Sequence, residues 1–193
     1  GVSHKHNPEF TQMEFYAAYW DYRDVMDFCE KMVADIAEKV TGSPVITYQG
    51  QKIDLSPPWR RVTLRDIALE VTGIDYREHP TAEELAEEMK AKGLPTPGDA
   101  TWGYLIDKGL LGTVEPTLIQ PTFVMDYPRD ISPLAKTKPD DPTHVERFEF
   151  FIGGLEMGNA FTELNDPFDQ EERFFEMGRL YDAEDEEGHP MDE

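Results

Sequence analysis

Residues 149–167 constrain the fold of this chain more than any other stretch of its sequence. Two apolar runs flank Gly153-Gly154, and a Gly-Gly pair in that setting is typical of a two-residue β-hairpin turn. The same stretch carries Glu149 and Glu156 where a buried sheet normally has valine or isoleucine. Carboxylates there are costly to bury unless they are solvated, paired, or bound to a metal ion or a cationic ligand. The predicted hairpin is therefore also a candidate site.

The turn predicts which residues face each other across the hairpin. A regular two-residue turn pairs Phe151 with Glu156 and Glu149 with Gly158, and cross-strand partners share a face of the sheet. Two neighbouring carboxylates repel each other unless a cation lies between them. Mg²⁺ is a suitable cation because it binds one or two carboxylates together with phosphate oxygens. The pattern is equally compatible with two glutamates that simply point into water.

A second set of polar residues follows on the second strand. Asn159, Phe161 and Glu163 alternate, so a regular strand presents them on one face. An amide, an aromatic ring and a carboxylate in line are suited to a zwitterion with a long apolar stem and a cationic tip. A regular ladder would put this trio on the opposite face from the two glutamates. One site for both sets requires a β-bulge, which we expect at Gly158.

Composition narrows the classes of function. The chain has 40 acidic and 18 basic residues, and its net charge of −22 argues against a primary nucleic-acid-binding surface, which needs basic patches. The single cysteine, Cys29, excludes an internal disulfide and favours a reducing, cytoplasmic location. Its helical neighbours are apolar, which predicts a core position. No apolar run approaches the length of a membrane span, so we expect no membrane partner.

The rest of the sequence predicts an α+β fold in which a helical insert interrupts a sheet-rich domain. The predicted elements are a strand over 8–20, a helix from Asp21 to Gly42, a hairpin over 45–55, three helices within 63–118, a strand over 121–128, a long polar loop over 132–142, and a final helix begun by Asp166-Pro167. We therefore divide the chain into residues 1–62, a helical insert over 63–118, and residues 119–193. On the first strand, Glu14 and Tyr16 share a face and indicate a pocket wall or a solvated surface.

Several motifs, in the same order, strongly resemble class II lysyl-tRNA synthetase. They are His6-Asn-Pro-Glu-Phe-Thr-Gln-Met-Glu14-Phe-Tyr16, Ser132-Pro-Leu-Ala-Lys136, Arg147-Phe-Glu149, and Glu156-Met-Gly-Asn-Ala-Phe-Thr-Glu-Leu-Asn-Asp166. The resemblance extends from the first residues to about Met177. It implies the catalytic domain of that family, built on an antiparallel sheet with flanking helices and a small helical insert. It also implies an enzyme that uses ATP and Mg²⁺ to activate L-lysine as the adenylate before transfer to tRNA(Lys).

The resemblance also implies a role for each candidate residue. By position, the implied ATP-binding residues are His6, Asn7 and Phe10, the lysine-binding residues are Glu14, Tyr16, Asn159, Phe161 and Glu163, and the Mg²⁺ ligands are Glu149 and Glu156. Glu163 and Tyr16 would hold the ε-ammonium of lysine, and Phe161 would pack on its methylene groups. Adenylate formation depends on positioning and electrostatics, so we expect no catalytic protein nucleophile.

Other parts of the family pattern are not found in this sequence. They are the dimer-forming first motif, the arginine-bearing strand that precedes the ATP loop, the glycine-rich third motif and the anticodon-binding barrel. We therefore expect a piece of a longer synthetase that is homodimeric when full length and inactive as this chain alone. Two alternatives stay open: a synthetase-like ligase that attaches lysine to a protein, such as the enzyme that modifies elongation factor P, and a non-catalytic lysine-binding module.

Overall fold

The computed structural model describes residues 7–98 and 100–181, with side chains as far as residue 175. The helices of these ranges are Tyr22–Thr41 (α1), Leu64–Thr72 (α2), Ala82–Ala91 (α3), Trp102–Tyr104 (α4), Gly112–Val114 (α5) and Pro167–Tyr181 (α6), with a π-helical segment at Leu105–Leu111 between α4 and α5. The strands are Val45–Tyr48 (β1), Gln51–Asp54 (β2), Arg60–Thr63 (β3), Thr122–Pro128 (β4), Thr137–Lys138 (β5), Asp141–Ile152 (β6) and Leu155–Phe161 (β7). The predicted mixture of helices and strands is confirmed.

The main sheet has the order β3-β4-β6, and both β5 and β7 pair with β6. The pairs β4–β6, β5–β6 and β6–β7 are antiparallel, whereas β3 and β4 are parallel. The sheet is therefore mixed, whereas we predicted an antiparallel sheet. Parallel neighbours need a long crossover connection, and the helices from α2 to α5 supply it between β3 and β4. A separate two-stranded sheet contains the predicted β1–β2 hairpin.

Helix α1 follows the predicted apolar stripe and covers one face of the sheet. Its first turn is held by the Asp21 side chain, which accepts hydrogen bonds from the Arg23 and Asp24 backbone amides in a capping box, and it ends at Gly42 in the left-handed conformation. Cys29 is 6% exposed in the core beneath α1, as predicted. No helix in the described ranges is both long enough and apolar enough to cross a membrane.

The helices between β3 and β4 cover the opposite face of the sheet. They bury apolar side chains against strand residues such as Val124, Val145 and Phe151, so helices and sheet share one core. The π-helical segment approaches α3 closely, because a Cβ atom at Gly109 would lie 2.3 Å from Cε of Met89. The sheet is thus enclosed between α1 and this helical layer. The division into 1–62, 63–118 and 119–193 stays a prediction.

Two local predictions are wrong. Residues 8–20 form no strand, and most of their side chains are exposed, because no described strand pairs with this segment and a lone strand leaves its backbone groups unpaired. The expected polar loop over 132–142 is not continuous, because β5 and the first two residues of β6 lie within it. Buried His144 and Val145 follow in β6, so the strand extends well before the predicted hairpin.

A buried histidine joins the helical layer to β6. His144 is 2% exposed, and its Nε2 atom lies 2.9 Å from the hydroxyl of Tyr76, which belongs to a 3₁₀ turn after α2. Its Nδ1 atom contacts the Arg77 guanidinium at 2.9 Å and the Thr143 hydroxyl at 2.8 Å. Burial lowers the pKa of His144, although nearby Asp141 acts in the opposite direction. Both ring nitrogen atoms therefore have polar partners in this buried position.

We expect replacement of Tyr76 by phenylalanine to destabilise the fold by about 1–3 kcal/mol, because it leaves a buried histidine nitrogen without its partner. The control is Tyr104→Phe, since Tyr104 is 46% exposed. Urea unfolding of both variants measures the difference. Equal losses of unfolding free energy in the two variants would show that the Tyr76–His144 contact does not stabilise the packing of helices on sheet.

Candidate functional site

The β6–β7 hairpin forms around the predicted Gly-Gly turn. Gly153 and Gly154 have φ values of +64° and +77°, a conformation that suits glycine and gives the primed turn typical of two-residue hairpins. Their backbone amides donate hydrogen bonds to the carbonyls of Ile119 and Leu118, at 2.9 and 3.0 Å. The turn is therefore fixed to the chain that enters β4.

A β-bulge interrupts the β6–β7 ladder where we predicted it. Phe151 pairs with Glu156, but the adjacent Phe150 pairs with Gly158, so Met157 is the extra residue. The expected pairing of Glu149 with Gly158 is wrong by one residue, because the prediction assumed a regular ladder. Met157 is 55% exposed, in keeping with a bulge residue that packs against neither face.

The bulge brings the two predicted sets of residues to one face of the sheet. Glu149 lies directly opposite Asn159, and Arg147 lies opposite Phe161. Cross-strand partners share a face, and so do residues two apart on one strand. Glu156, opposite Phe151, therefore projects from the same face as Glu149, Asn159 and Phe161. Both sets of residues therefore project from the same face of the β6–β7 pair.

Glycine is required at position 158 by its neighbour on β6. A Cβ atom there would lie 2.7 Å from Cε1 of the Phe150 ring, below the distance of ordinary carbon contacts. Phe150 is 8% exposed in the core under α1 and packs against Trp59 and Phe123, so its ring has little room to move. The bulge therefore depends on the absence of a side chain at Gly158.

Glu149 is a buried carboxylate with a partly buried cationic partner. Its Oε1 atom accepts a hydrogen bond from Nη2 of Arg147 at 2.7 Å, and Nη1 of Arg147 donates to the Ser132 hydroxyl at 2.8 Å. The Arg147 guanidinium also lies over the Tyr127 ring, 4.8 Å from its centre. The Tyr127 hydroxyl is buried and makes no hydrogen bond of normal geometry with any described residue. A polar cluster therefore lies under the candidate site.

Burial dominates the electrostatics of Glu149. Its pKa is raised from 4.5 to about 7, first because burial disfavours the charged form and second because Glu156 repels it, while Arg147 opposes the shift. A divalent cation between Glu149 and Glu156 would relieve this repulsion. No described group of three or more acidic, histidine or cysteine side chains is arranged to hold a metal ion. Two carboxylates alone leave most coordination positions of Mg²⁺ to phosphate oxygens and water, so the metal role of this pair stays a prediction.

An open cavity of about 1220 Å³ extends along β7 and the irregular segment of residues 7–20. It is bordered by eight of the ten predicted site residues, namely Asn7, Phe10, Glu14, Tyr16, Glu156, Asn159, Phe161 and Glu163. Glu149 is not part of the lining, and His6 is outside the described residues. The roles of these residues stay predictions, but most of them border one space.

The cavity lining is acidic. Its carboxylates are Glu14, Asp21, Glu156 and Glu163, and none of the described lining residues is lysine, arginine or histidine. Aromatic side chains from the irregular segment stand open to solvent beside them, since Tyr16 is 90% and Phe10 76% exposed. Such a space favours a cationic ligand with apolar parts and disfavours an isolated anion.

Three residues that support the site were not predicted from the sequence. Arg147 was noted only as part of a motif, although it is the partner of Glu149, and Tyr127 and Ser132 complete its surroundings. The signal available for Arg147 was its spacing of two from Glu149 on one strand, which puts both side chains on one face. No comparable local signal exists for Tyr127 and Ser132, because they come from other segments of the chain.

Comparison with known proteins gives a consistent result. Residues 1–192 match the family model described as tRNA synthetases class II (D, K and N). Among curated proteins, those named lysine–tRNA ligase from Roseiflexus castenholzii, Chloroflexus aurantiacus and Bacillus subtilis are 52%, 50% and 47% identical to the chain. Each match covers 100% of this chain but only 39% of the relative. The chain therefore spans about two fifths of the length of these relatives.

We expect Gly158→Ala to destabilise the chain by about 1–3 kcal/mol, because the added methyl group overpacks against the buried Phe150 ring. Gly112→Ala is the matched control, since a Cβ atom at Gly112 meets nothing within 4 Å. Thermal or urea unfolding compares the two. A Gly158→Ala variant as stable as Gly112→Ala would contradict the close packing described for the bulge.

We expect Glu149 to make stability depend on pH. Its folded-state pKa of about 7 lies above its ordinary value of 4.5, so the folded chain favours the protonated form. The unfolding free energy should then decrease by about 3 kcal/mol as the pH rises from about 4.5 to above 7. Glu149→Gln should remove this decrease. Glu9→Gln, which changes an exposed glutamate, should retain it, and a decrease of equal size in Glu149→Gln and the unmodified chain would contradict the assignment.

Proposed function

Because the chain belongs to the class II tRNA synthetases of the D, K and N type, we propose that it is part of a lysine–tRNA ligase and contains most of its lysine site. The names of the curated relatives support this proposal. The observation that carries it is the cavity along β7, which collects the predicted lysine-binding residues and whose described lining is acidic without a basic side chain. Lysine, with a long apolar stem and a cationic tip, matches that lining.

Each lysine-binding residue has a role in this proposal. The carboxylate of Glu163, with the Tyr16 hydroxyl and Glu14, receives the ε-ammonium. Phe161 packs along the methylene groups, and Asn159 donates to the substrate carboxylate. Hydrogen bonds from a charged amine to a matched site discriminate strongly against analogues that lack the amine, because the polar groups of the site are then left unpaired.

The nucleotide is assigned to the other side of the cavity. We propose that Phe10 stacks on adenine and that Asn7, with His6, contacts the nucleotide. Glu149 and Glu156 would hold Mg²⁺, which supplies neutralisation of phosphate charge when it is bound. Arg147 keeps the Glu149 carboxylate in a fixed orientation by its 2.7 Å hydrogen bond. The substrate carboxylate is itself the nucleophile, so the chain needs only to align it with the α-phosphate.

We propose that this chain alone binds lysine but does not form lysyl-adenylate. The described cavity lining contains no basic side chain to stabilise a triphosphate, and its own carboxylates repel one. In the full-length protein, we propose the complete reaction with ATP and Mg²⁺, transfer to tRNA(Lys), assembly as a homodimer, and a cytoplasmic location. None of these requires a membrane.

Calorimetric titration of the chain with L-lysine tests the proposal. We expect lysine to bind and norleucine, which has a methyl group in place of the ε-ammonium, to bind at least tenfold more weakly. Glu163→Gln should weaken lysine binding about 10- to 100-fold, since a hydrogen bond to a charged group contributes about 1.5–3 kcal/mol. The control is Glu9→Gln, an exposed glutamate that does not border the cavity. Equal binding of lysine and norleucine would overturn the proposed site.

Exchange of pyrophosphate into ATP tests the second part of the proposal. We expect no lysine-dependent exchange above background by this chain with Mg-ATP. Robust exchange would show that the described cavity is sufficient for adenylate formation and would reject the idea that the chain is inactive alone.

A further inference from the structure

Arg173 of α6 is a buried arginine whose guanidinium is fully hydrogen-bonded. It is 2% exposed, and its Nε and Nη2 atoms bind the two carboxylate oxygens of Asp169 at 2.8 and 2.7 Å. Nη2 also donates to the Thr137 hydroxyl at 2.6 Å. Nη1 donates to the carbonyls of Ala135, at 2.8 Å, and Pro133, at 3.3 Å. The arginine therefore binds the segment of residues 133–137 at three points.

The same segment binds the chain around Glu163 on its other side. The Lys136 amide donates to the Thr162 carbonyl at 2.8 Å, and the Leu164 amide donates to the Leu134 carbonyl at 3.0 Å. Between these two hydrogen bonds, Ala135 lies directly opposite Glu163 in an antiparallel bridge. The Ala135 carbonyl is not used in this pairing and instead accepts the hydrogen bond from Arg173.

Glu163 depends on this segment for its position because it lies beyond the end of β7. The regular strand ends at Phe161, and the bridge to Ala135 is the only sheet pairing that the structure describes for Glu163. The Glu163 side chain is exposed, borders the cavity, and makes no hydrogen bond to another side chain in the described part of the chain. The position of Glu163 therefore depends on its backbone. That backbone is held in place by the pairing with residues 134–136.

We propose that Arg173 is a positioning residue for recognition of the lysine ε-ammonium, acting through residues 133–137 on Glu163. This inference rests on the proposed function of the cavity. Arg173 does not line the cavity and makes no hydrogen bond to Glu163, so its effect on the substrate would be indirect. It fixes the segment against which the Glu163 backbone is paired.

The energetics of a buried guanidinium favour positioning over simple stabilisation. Moving an arginine–carboxylate pair out of water costs free energy that the pairing barely offsets, so such pairs are weak stabilisers compared with apolar side chains of similar volume. The planar guanidinium instead fixes several acceptors at once in defined directions, which an ammonium group cannot do. Precise placement matters for Glu163, because a displacement of about 1 Å in a binding group can cost about 100-fold in function.

A double-mutant cycle on lysine affinity tests the inference. Arg173→Lys retains the charge but loses the fork of hydrogen bonds, and we expect it to weaken lysine binding about 5- to 20-fold. In a Glu163→Gln background the same change should weaken binding less than twofold, because the carboxylate to be positioned is already absent. The control is Arg60→Lys on the surface, where Arg60 pairs with Glu70, and it should leave lysine affinity unchanged.

A second variant and a second measurement keep the inference testable if Arg173→Lys unfolds the chain. Thr137→Val removes only one acceptor of Arg173 and should weaken lysine binding two- to fivefold, again only when Glu163 is present. Hydrogen exchange of the Lys136 and Leu164 amides should be at least tenfold faster in either variant, because both amides bond across the segment that Arg173 fixes.

The outcomes separate the two proposals. If the unmodified chain does not prefer lysine over norleucine, the proposed function fails and the positioning role fails with it. If the chain binds lysine through Glu163, but Arg173→Lys and Thr137→Val weaken binding equally with and without Glu163, the proposed function stands and the positioning role is overturned. Unchanged lysine affinity in both variants also overturns it.

Discussion

The extra residue in β7 is the constraint on which the candidate site depends. Without the bulge at Met157, the two glutamates assigned to the metal would lie on one face of the strand pair, and Asn159 and Phe161, assigned to lysine, would lie on the other. With it, Glu149 and Asn159 lie opposite each other and Glu156 joins them. One extra residue thus puts both sets of polar residues on the same face of the strand pair. Gly158, which follows Met157, leaves room for the Phe150 ring on the neighbouring strand.

Charge is distributed around this space in two layers. At the surface, the carboxylates that line the cavity are open to solvent, where they cost little and attract a cationic ligand. Beneath them, Glu149 is buried with Arg147, whose guanidinium is itself held over the Tyr127 ring. Burial and repulsion by Glu156 raise the pKa of Glu149 to about 7, so the buried carboxylate is coupled to one that lines the cavity.

Short sequence signals predicted turns and helix ends well, but they did not predict which distant segments of the chain pair with each other. The capping residue Asp21, the glycine pair at 153–154 and the proline after Asp166 each act within a few residues of the chain, and each predicted an element that the structure has. The alternation of residues 8–20 is also local, but a strand exists only if another strand pairs with it. The ladder register, the parallel β3–β4 pair and the contacts of Arg173 join distant segments, and no sequence period encodes them.

The parallel pair has a topological consequence for the helices that connect it. These helices cannot be deleted and replaced by a short turn. Strands β3 and β4 are parallel neighbours in the sheet, so the chain needs a long crossover between them. Their apolar side chains also complete a core with Val124 and Phe151 of the sheet, and His144 of β6 binds Tyr76 among them. If the helices between β3 and β4 were exchanged between related proteins, only one side of the core would be exchanged. The hybrid would fold only if the recipient sheet carried matching apolar side chains on the face that these helices cover.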